Sequence, residues 1–282
     1  MIGSGKTRLA GVMGWPVAHS RSPRVHGFWL ERHGIDGAYL PLAVQPDNLQ
    51  AALGGLVALG FSGCNLTIPH KVAALDLVGE ISPLAARIGA VNTVIVKTDG
   101  TLRGDNSDAF GFLENLRDGA PQLDLTSGPT IVLGAGGAAR AVCAGLLQSG
   151  APEIRVLNRT MARAEALAKI LGPAIKPAPW TERHAALQDA ALLINTTSLG
   201  MTGQPALEID LSLLPKRAVV NDLVYSPLTT PLLAAARECS NIVVDGLGML
   251  LHQARPGFAA WFGVEPQVTA ELRAFVTVDL AG

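Results

Sequence analysis

The sequence is poor in features that would indicate disulfide bonds, metal centres or membrane segments. Its three cysteines, Cys64, Cys143 and Cys239, lie far apart and in no CxxC or Cys/His ligand spacing, so we expect buried free thiols. Its six histidines form no ligand signature, and no metal is expected. No apolar run reaches the roughly 18 to 20 residues that span a bilayer, and the N-terminal segment lacks the apolar centre of a signal peptide. These observations predict a cytoplasmic protein that does not interact with a membrane.

Charge is also scarce, and it is evenly spread. Charged residues make up 16% of the 282 residues, and the formal net charge is -1. Without a basic patch or stripe there is no electrostatic footprint for nucleic acid. Hydrophobic residues make up 49% of the chain, which is enough to form the core of one large domain or two ordinary ones.

Strand-like and helix-like segments alternate in the first part of the chain. The predicted strands are 9–14, 38–44, 61–68 and 90–96, and the predicted helices lie around 23–34, 46–59 and 69–77. This alternation favours a mostly parallel sheet with helices on both faces. The turn-forming stretch DGAPQLDLTSGP, residues 118–129, is typical of a surface connection between two such units.

A glycine-rich turn opens the second unit. The stretch TIVLGAGGAARAVCAGLLQSG, residues 130–150, is a buried strand, then Gly134, Gly136 and Ala139 in GxGxxG/A spacing, then an alanine-rich helix. Glycines at these positions allow a tight turn and let main-chain amides approach a pyrophosphate at the helix N-terminus. The pattern favours a dinucleotide site; the alternative is a tight turn without a ligand.

The next strand ends without a carboxylate. An NAD-preferring site places an acidic residue about 20 residues after the glycines, but this chain has Asn158, Arg159 and Thr160, with Arg163 one helical turn later. A guanidinium suits the 2′-phosphate of NADP, because it makes bidentate, charge-assisted hydrogen bonds. We therefore expect NADP as the cofactor. The alternative is an exposed arginine at a strand end.

Two short stretches of the first unit carry candidate functional groups. In GWPVAHSRSPRVH, residues 14–26, Ser22 and Pro23 suit the N-cap and first position of a helix, and the hydroxyls of Ser20 and Ser22 could also hold a carboxylate there. In NLTIPHK, residues 65–71, Lys71 follows a buried strand, either as a solvated helix residue or as a group that does chemistry.

Taken together, the motifs resemble the shikimate dehydrogenase family along nearly the whole chain. The matching stretches, in order, are the serine pair at 20 and 22, NLTIPHK, GAVNT, GDNSDAFG, GAGGAAR, NRT, NTTSLGM, NDLVYSP and DGLGMLLHQA. The resemblance implies an α/β protein of two domains with a cleft between them. A substrate-binding catalytic domain, residues 1–107, is completed by C-terminal helices at 245–282, and a Rossmann NADP-binding domain spans 108–244. The implied reaction is the reversible, NADPH-dependent reduction of 3-dehydroshikimate to shikimate in aromatic amino acid biosynthesis.

The same resemblance implies roles for individual residues. Lys71 and Asp108 are the implied catalytic pair. The implied substrate-binding residues are Ser20, Ser22, Asn65, Thr67, Asn92, Tyr225 and Gln253. The implied cofactor-binding residues are Gly134, Ala135, Gly136, Gly137, Ala138, Asn158, Arg159, Thr160, Arg163, Thr197, Ser198, Gly200, Met201, Leu223, Gly246 and Gly248. A site rich in Ser, Thr and Asn suits a cyclic acid whose several hydroxyls each need a hydrogen-bond partner.

Some positions depart from the family pattern and leave alternatives open. Trp15 stands where a polar residue is common, Gly27 replaces a common asparagine, and Ser107 replaces a commoner threonine. Retaining serine at both Ser20 and Ser22 leans toward shikimate. A quinate/shikimate or aminoshikimate dehydrogenase of the same fold remains an alternative, as does a non-catalytic dinucleotide-binding regulator, although a regulator has no need of Lys71 and Asp108. The sequence leaves open whether the protein is a monomer or a homodimer.

Overall fold

The computed structural model describes residues 3–278, which fall into two compact units. The first unit comprises the chain up to Ser107 together with Gln253–Val278, and the second comprises Asp108–His252. The sequence placed the return to the first domain at 245, whereas this division falls at Gln253, inside a helix. The predicted domains also include residues 1–2 and 279–282, which lie outside the described residues.

Six strands and four helices belong to the first stretch of chain. The strands are β1 (Arg8–Gly14), β2 (Gly37–Ala43), β3 (Phe61–Leu66), β4 (Glu80–Ile81), β5 (Thr93–Val96) and β6 (Leu102–Asp105). The helices are α1 (Ser22–Arg32), α2 (Leu49–Ala58), α3 (His70–Ala73) and α4 (Pro83–Ile88), with 3-10 turns at Pro46–Asn48 and Ala74–Asp76. Where the apolar spacing predicted one helix at 69–77, the structure has the short α3 followed by a 3-10 turn.

The sheet of the first unit has the order β2-β1-β3-β5-β6-β4. β1 is parallel to β2 and β3, and β4 is parallel to β6, but β5 runs antiparallel to both of its neighbours. The carboxyl ends of β1, β3 and β6 therefore meet the amino end of β5 at one edge of the sheet. This edge carries most of the polar residues singled out from the sequence of this unit.

The second unit alternates strands and helices. The strands are β7 (Thr130–Leu133), β8 (Ile154–Asn158), β9 (Ile175–Pro179), β10 (Leu192–Asn195), β11 (Val219–Asp222) and β12 (Ile242–Val244). The helices are α5 (Asp108–Gly119), α6 (Gly137–Gln148), α7 (Met161–Leu171) and α8 (Pro231–Glu238), with 3-10 turns at Trp180–Glu182 and Ala185–Leu187. Two helices follow β12: α9 (Leu247–Phe262) and α10 (Ala270–Thr277).

All strand pairs of the second sheet are parallel, in the order β12-β11-β10-β7-β8-β9. This is the doubly wound strand order: from β7 the successive strands are added toward one edge of the sheet, and from β10 toward the other. In such folds a dinucleotide binds at the point between β7 and β10 where the order reverses. The predicted α/β fold class with a Rossmann unit is confirmed. The turn-rich stretch 118–129 overlaps the end of α5 and leads to β7 within the second unit, so it does not join the two units.

Burial follows the strand pattern expected of parallel sheets. The central strands β7 and β10 are buried at every residue and are apolar apart from the terminal residues Thr130 and Asn195, as expected of parallel strands covered on both faces. Each fully buried aliphatic side chain, such as Ile131 or Leu193, contributes about 1.5–3 kcal/mol relative to an exposed one. In the first unit, Trp29 of α1 and Phe258 of α9 lie in edge-on contact in the core.

The three cysteines differ in environment. Cys64 and Cys143 are buried free thiols as expected, but Cys239 is exposed just after α8, so the expectation is wrong for that residue. Among residues 3–278, no three His, Cys, Asp or Glu side chains are grouped so that they could hold a metal ion. No helix in the described part of the chain has both the length and the apolarity needed to cross a bilayer.

Candidate active site

The N-terminal end of α1 differs by one residue from the sequence prediction. Arg21, not Ser22, occupies the N-cap and makes no side-chain capping bond; Ser22 is already helical. Ser20 takes part in the capping instead, because its Oγ accepts a hydrogen bond from the Ser22 main-chain N–H at 3.3 Å. Both serines thus lie at the start of α1, where the helix dipole favours an anion. Their contact with a carboxylate remains a prediction.

Asn65, near the end of β3, is hydrogen-bonded to Tyr39 of β2 and to Asn92, the residue before β5. Its Oδ1 accepts a hydrogen bond from the Tyr39 hydroxyl at 2.6 Å, and its Nδ2 donates to the Asn92 carbonyl at 3.0 Å. Burial raises the pKa of Tyr39 far above its usual range, and the neighbouring Ser22 hydroxyl partly opposes that shift. The Tyr39 phenol is therefore a fixed donor that orients the amide of Asn65.

Asn92 stands at the centre of a polar cluster, which comprises Asn65, Asn92, Thr93, Ser107 and Gln253. Its Oδ1 accepts hydrogen bonds from the Ser107 main-chain N–H at 2.8 Å and the Thr93 hydroxyl at 2.8 Å. Its Nδ2 donates to Oε1 of Gln253, on α9, at 3.4 Å. Three of the residues predicted to bind substrate, Asn65, Asn92 and Gln253, are thus brought together at one edge of the first sheet.

Lys71 lies on the short helix α3 beside this cluster. Its main-chain carbonyl accepts a hydrogen bond from the N–H of Val91, the residue before Asn92, at 2.8 Å. His70, buried next to it, contacts the Val44 carbonyl through Nε2 at 2.8 Å. These two contacts hold the backbone of Lys71 between the edge of the sheet and the segment that carries Asn92.

Thr67 follows β3 directly and is held on both sides. Its N–H donates to the Met13 carbonyl and its own carbonyl accepts from His70, both at 2.9 Å. A Cβ on Gly14 would lie 2.4 Å from the Thr67 methyl group, so the end of β1 passes too closely for any residue larger than glycine. This close approach fixes where Thr67 sits at the sheet edge.

Asp108 and Tyr225 belong to the second unit. Asp108 is the first residue of α5 and is nearly buried, so its carboxylate occupies a helix start where negative charge is favoured. Tyr225 is half-buried in the turn after β11. Their predicted action with Lys71 and on substrate remains a prediction.

The glycine turn between β7 and α6 has the geometry of a phosphate-binding loop. Gly134 has φ +104°, a conformation that side-chain-bearing residues rarely adopt, and Gly136 occupies the N-cap of α6. A Cβ added to Gly136 or Gly137 would meet no atom within 4 Å, whereas Ala139 is completely buried against the sheet. The main chain at Gly136 and Gly137 therefore borders open space at a helix N-terminus, as a pyrophosphate requires. Ala135 lies in this turn, and Ala138 is the second residue of α6.

At the end of β8 the side chains are cationic and exposed. Arg159, Thr160 and Arg163 are all solvent-exposed, and Asn158 Nδ2 donates to the Thr160 carbonyl at 2.8 Å. Within residues 3–278, neither guanidinium has an ion-pair or hydrogen-bond partner. Both remain available to a phosphate group.

The loop after β10 contains four of the predicted cofactor residues. Thr197, Ser198 and Gly200 lie in consecutive turns, Gly200 has φ +87°, and Met201 is 39% exposed. Sequence reasoning missed the residues that shape this loop: Asn195 at the end of β10 and Asp222 at the end of β11. Both occur in motifs quoted above, but no periodicity distinguishes a buried polar residue at a strand end from a loop residue.

Two predicted cofactor glycines have a packing role that the sequence did not reveal. A Cβ on Gly246 would lie 2.1 Å from the Leu223 carbonyl oxygen, and one on Gly248 would lie 1.8 Å from Oδ1 of Asn115 in α5. Both residues are buried. The close approach of neighbouring atoms is therefore sufficient reason for glycine at both positions. Contact of a cofactor with Gly246, Gly248 and Leu223 stays a prediction.

Comparison with known proteins adds an independent line of support. The family model described as "Shikimate dehydrogenase substrate binding domain" matches residues 12–94, and "Shikimate / quinate 5-dehydrogenase" matches residues 120–202. "Shikimate dehydrogenase (NADP(+))" of Paramagnetospirillum magneticum is 61% identical over 97% of this chain and 99% of the relative.

Two solved structures resemble this one along almost the whole chain. Shikimate 5-dehydrogenase from Thermus thermophilus, in complex with NADP(H) and shikimate, is 39% identical with a TM-score of 0.83, covering 96% of this chain and 97% of that one. Quinate dehydrogenase from Corynebacterium glutamicum, in complex with NAD, is 31% identical with a TM-score of 0.90, covering 96% of this chain and 99% of that one.

Proposed function

The chain belongs to the shikimate dehydrogenase family, and we propose on that premise that it catalyses the reversible, NADPH-dependent reduction of 3-dehydroshikimate to shikimate. This reaction belongs to aromatic amino acid biosynthesis. The observation that carries the proposal is the polar cluster around Asn92, because it gathers hydrogen-bonding side chains next to the helix of Lys71. Such a cluster suits a ring acid with several hydroxyls.

In the proposed reaction Lys71 acts on the oxygen of the substrate ketone. When the carbon gains a hydride, the oxygen becomes an alkoxide, and an ammonium group stabilises that charge or gives it a proton. Asp108 orients Lys71, binds a ring hydroxyl or relays the proton. Ser20 and Ser22 hold the carboxylate at the start of α1, and Asn65, Thr67, Asn92, Tyr225 and Gln253 pair with the hydroxyls.

The second unit fits NADP for reasons visible in its own residues. Open space borders the main chain at Gly136 and Gly137 where a pyrophosphate would approach, and two guanidinium groups, Arg159 and Arg163, face solvent beside the end of β8. β8 ends in Asn158, and no carboxylate is present there to repel a 2′-phosphate. Bound NADPH supplies the hydride. The loop residues Thr197–Met201, with Leu223, Gly246 and Gly248, are proposed to border its nicotinamide half.

Quinate is the alternative substrate that deserves a direct test, because the Corynebacterium glutamicum structure is of a quinate dehydrogenase with NAD. The serines at both Ser20 and Ser22 and the arginine at Arg159 favour shikimate and NADP instead. A cytoplasmic location and a monomeric or homodimeric state stay predictions from the sequence.

The deciding experiment is steady-state oxidation of shikimate and of quinate by the purified protein, each with NADP and with NAD, followed by absorbance of the reduced cofactor. We expect rapid turnover with shikimate and NADP only. Comparable rates with quinate or NAD would indicate the broader quinate/shikimate dehydrogenase. No turnover with any of the four combinations would contradict the proposal and favour the non-catalytic regulator.

A further inference from the structure

Two fully buried polar residues face each other in the second unit, at the carboxyl ends of adjacent strands. Asn195 of β10 and Asp222 of β11 are register partners, and both are completely shielded from solvent. Nδ2 of Asn195 donates to Oδ1 of Asp222 at 2.9 Å. Burial raises the pKa of Asp222 to about 6, against hydrogen bonds from Thr230, Val224 and Asn195 that lower it. A buried carboxyl group is costly to keep, so its surroundings must compensate it.

The side chain of Asn195 sets the shape of the loop that follows it. Its Oδ1 accepts from the main-chain N–H and the hydroxyl of Thr197, at 3.0 and 2.7 Å, and its Nδ2 also donates to the Leu199 carbonyl at 3.0 Å. The Thr197 hydroxyl in turn accepts from the Leu199 N–H at 3.1 Å. Both polar atoms of the Asn195 amide are thus engaged, in the hydrogen bond to Asp222 and in the three bonds to the loop.

Asp222 does the same for the turn that follows β11. Its Oδ1 also accepts from the Val224 N–H at 3.0 Å, and its Oδ2 accepts from the Thr230 hydroxyl at 2.7 Å. Thr230 is the N-cap of α8, because its Oγ1 accepts from the Leu233 N–H at 3.3 Å. One carboxylate therefore holds Val224, the residue before Tyr225, on one side and the start of α8 on the other.

We propose that Asn195 and Asp222 are a pair of positioning residues that hold the cofactor loop, Thr197–Met201, and the Tyr225 turn at a fixed spacing. The proposal rests on the proposed function, which assigns NADP contacts to the first loop and a substrate contact to the second. Neither residue is catalytic, because both are fully buried behind the loops they shape. Their hydrogen bond joins the two loops directly, so breaking it weakens NADPH binding even though no ligand contact is removed.

The diagnostic variant is Asn195→Asp, which places two carboxyl groups where one hydrogen bond stood. At low pH a shared proton bridges such a pair; at high pH both groups ionise and repel each other. The groups that face the Asp222 carboxyl group are the Asn195 amide from β10, the Thr230 hydroxyl at the start of α8 and the Val224 N–H, and among the described residues no charged side chain contributes to its pKa shift.

We therefore expect the dissociation constant for NADPH, measured by the fluorescence of the reduced nicotinamide, to rise tenfold or more in Asn195→Asp between pH 6 and pH 9. The wild type should change much less. Adding Asp222→Asn to that variant removes the second charge and should recover most of the affinity at pH 9. An unchanged affinity at pH 9, an equal loss at both pH values, or no recovery in the double variant would each overturn the proposal.

A second pair of variants keeps the proposal testable if Asn195→Asp fails to fold. Thr230→Val removes the hydroxyl from Asp222 and the cap from α8, while Thr269→Val removes only a helix cap of the same kind, the one that accepts from Leu272 N–H at 3.2 Å. A lower melting temperature is expected in both, with the larger loss in Thr230→Val, because the buried Asp222 carboxyl group also loses a hydrogen-bond donor there. Only Thr230→Val should weaken NADPH binding, by roughly threefold to tenfold, and equal affinities in the two variants would contradict the positioning role.

Direct binding separates this proposal from the proposed function. A wild-type protein that binds NADPH but oxidises neither shikimate nor quinate would refute the reaction and leave the loop-positioning test intact. A normal wild-type turnover combined with unaltered NADPH binding in Asn195→Asp and in Thr230→Val would refute only the positioning role.

Discussion

Lys71 is the residue on which the proposed chemistry depends most. Its backbone is held by the Val91 N–H, so the side chain starts from a fixed point beside the polar cluster. Lys71→Ala removes the only group proposed to stabilise the alkoxide, and we expect kcat to fall about 10²–10⁴-fold. The Kd for NADPH should stay unchanged.

Lys97→Ala is a matched control, because Lys97 lies in the same unit but only forms a surface ion pair with Glu80. It should leave kcat and KM as in the wild type. If Lys71→Ala turned over shikimate at the wild-type rate, the catalytic role of Lys71 would be excluded.

Arg159 tests the cofactor preference at the scale of one side chain. A hydrogen bond to a charged group contributes about 1.5–3 kcal/mol, so Arg159→Ala should raise the KM for NADP by roughly 10- to 100-fold. The KM for NAD, which lacks the 2′-phosphate, should change little. Arg217→Ala, an exposed arginine before the amino end of β11, serves as the control. Equal effects of Arg159→Ala on both cofactors would reject a 2′-phosphate contact.

Residue-level prediction from the sequence depended on motifs, and it could not reach side chains whose role comes from burial. Asn65, Asn92 and Gln253 could be chosen because their motifs match a family, and the structure brings them into one cluster. Tyr39 and Asp222 could not be chosen, since burial and hydrogen bonding to a distant residue leave no trace in local spacing. The one-residue error at the start of α1 has a similar origin, because Arg21 takes the N-cap without a capping side chain.

The β7–α6 turn allows binding and stability to be separated at the scale of an element. A Cβ at Gly136 meets nothing within 4 Å, and its φ of -88° suits any residue, so Gly136→Ala should leave the melting temperature unchanged or slightly raised. The added methyl group would occupy the space proposed for the pyrophosphate. We therefore expect the Kd for NADPH to rise tenfold or more.

Gly54→Ala is the matched control, because Gly54 is an exposed residue in α2 whose Cβ also meets nothing within 4 Å. Alanine favours a helix interior over glycine by roughly 0.5–1 kcal/mol, so this variant should be slightly stabilised with normal NADPH binding. Unchanged NADPH affinity in Gly136→Ala would argue against a phosphate at this turn.

Prediction of elements was most successful where glycine and apolar runs act together. The strand, turn and helix at 130–150 were predicted from their sequence and are present as β7 and α6. The direction of β5 was beyond such reasoning, because an antiparallel strand and a parallel one show the same short apolar pattern. The break of the 69–77 helix into α3 and a 3-10 turn likewise leaves its apolar spacing almost unchanged.

The pH dependence of stability belongs to the whole molecule, since two buried groups act in opposite directions. Burial lowers the pKa of His26 to about 3, although the Asn65 side chain opposes the shift, so the folded state keeps His26 neutral. Below about pH 6.5 the unfolded chain binds a proton that the folded chain does not. The free energy of unfolding therefore decreases as the pH is lowered below that value. Asp222 has a raised pKa, so its ionisation costs stability above about pH 6, and its contribution grows as the pH falls from 6 toward 4.

We expect His26→Phe to flatten the decline of melting temperature between pH 6.5 and pH 4. The histidine ring stacks on Tyr39 at 3.8 Å between centroids, and phenylalanine keeps an aromatic ring there without a titrating group. The wild-type slope includes up to about 1.4 kcal/mol per pH unit from this residue. The control is His19→Phe, at an exposed histidine of the first unit, whose decline should match that of the wild type. Identical slopes in wild type and His26→Phe would show that His26 does not control acid stability.

The unit that is synthesised first is the one whose hydrophobic core is completed last. Residues 108–252 form the second unit without interruption, but the first unit needs Gln253 and the residues beyond it. Trp261 donates its indole N–H to the Val94 carbonyl at 3.0 Å, and Phe258 packs against Trp29. Val94 and Trp29 therefore lack these packing partners until α9 has been synthesised. On the ribosome, the half of the protein that emerges first must therefore wait with part of its apolar interior unfilled while the later half completes its fold.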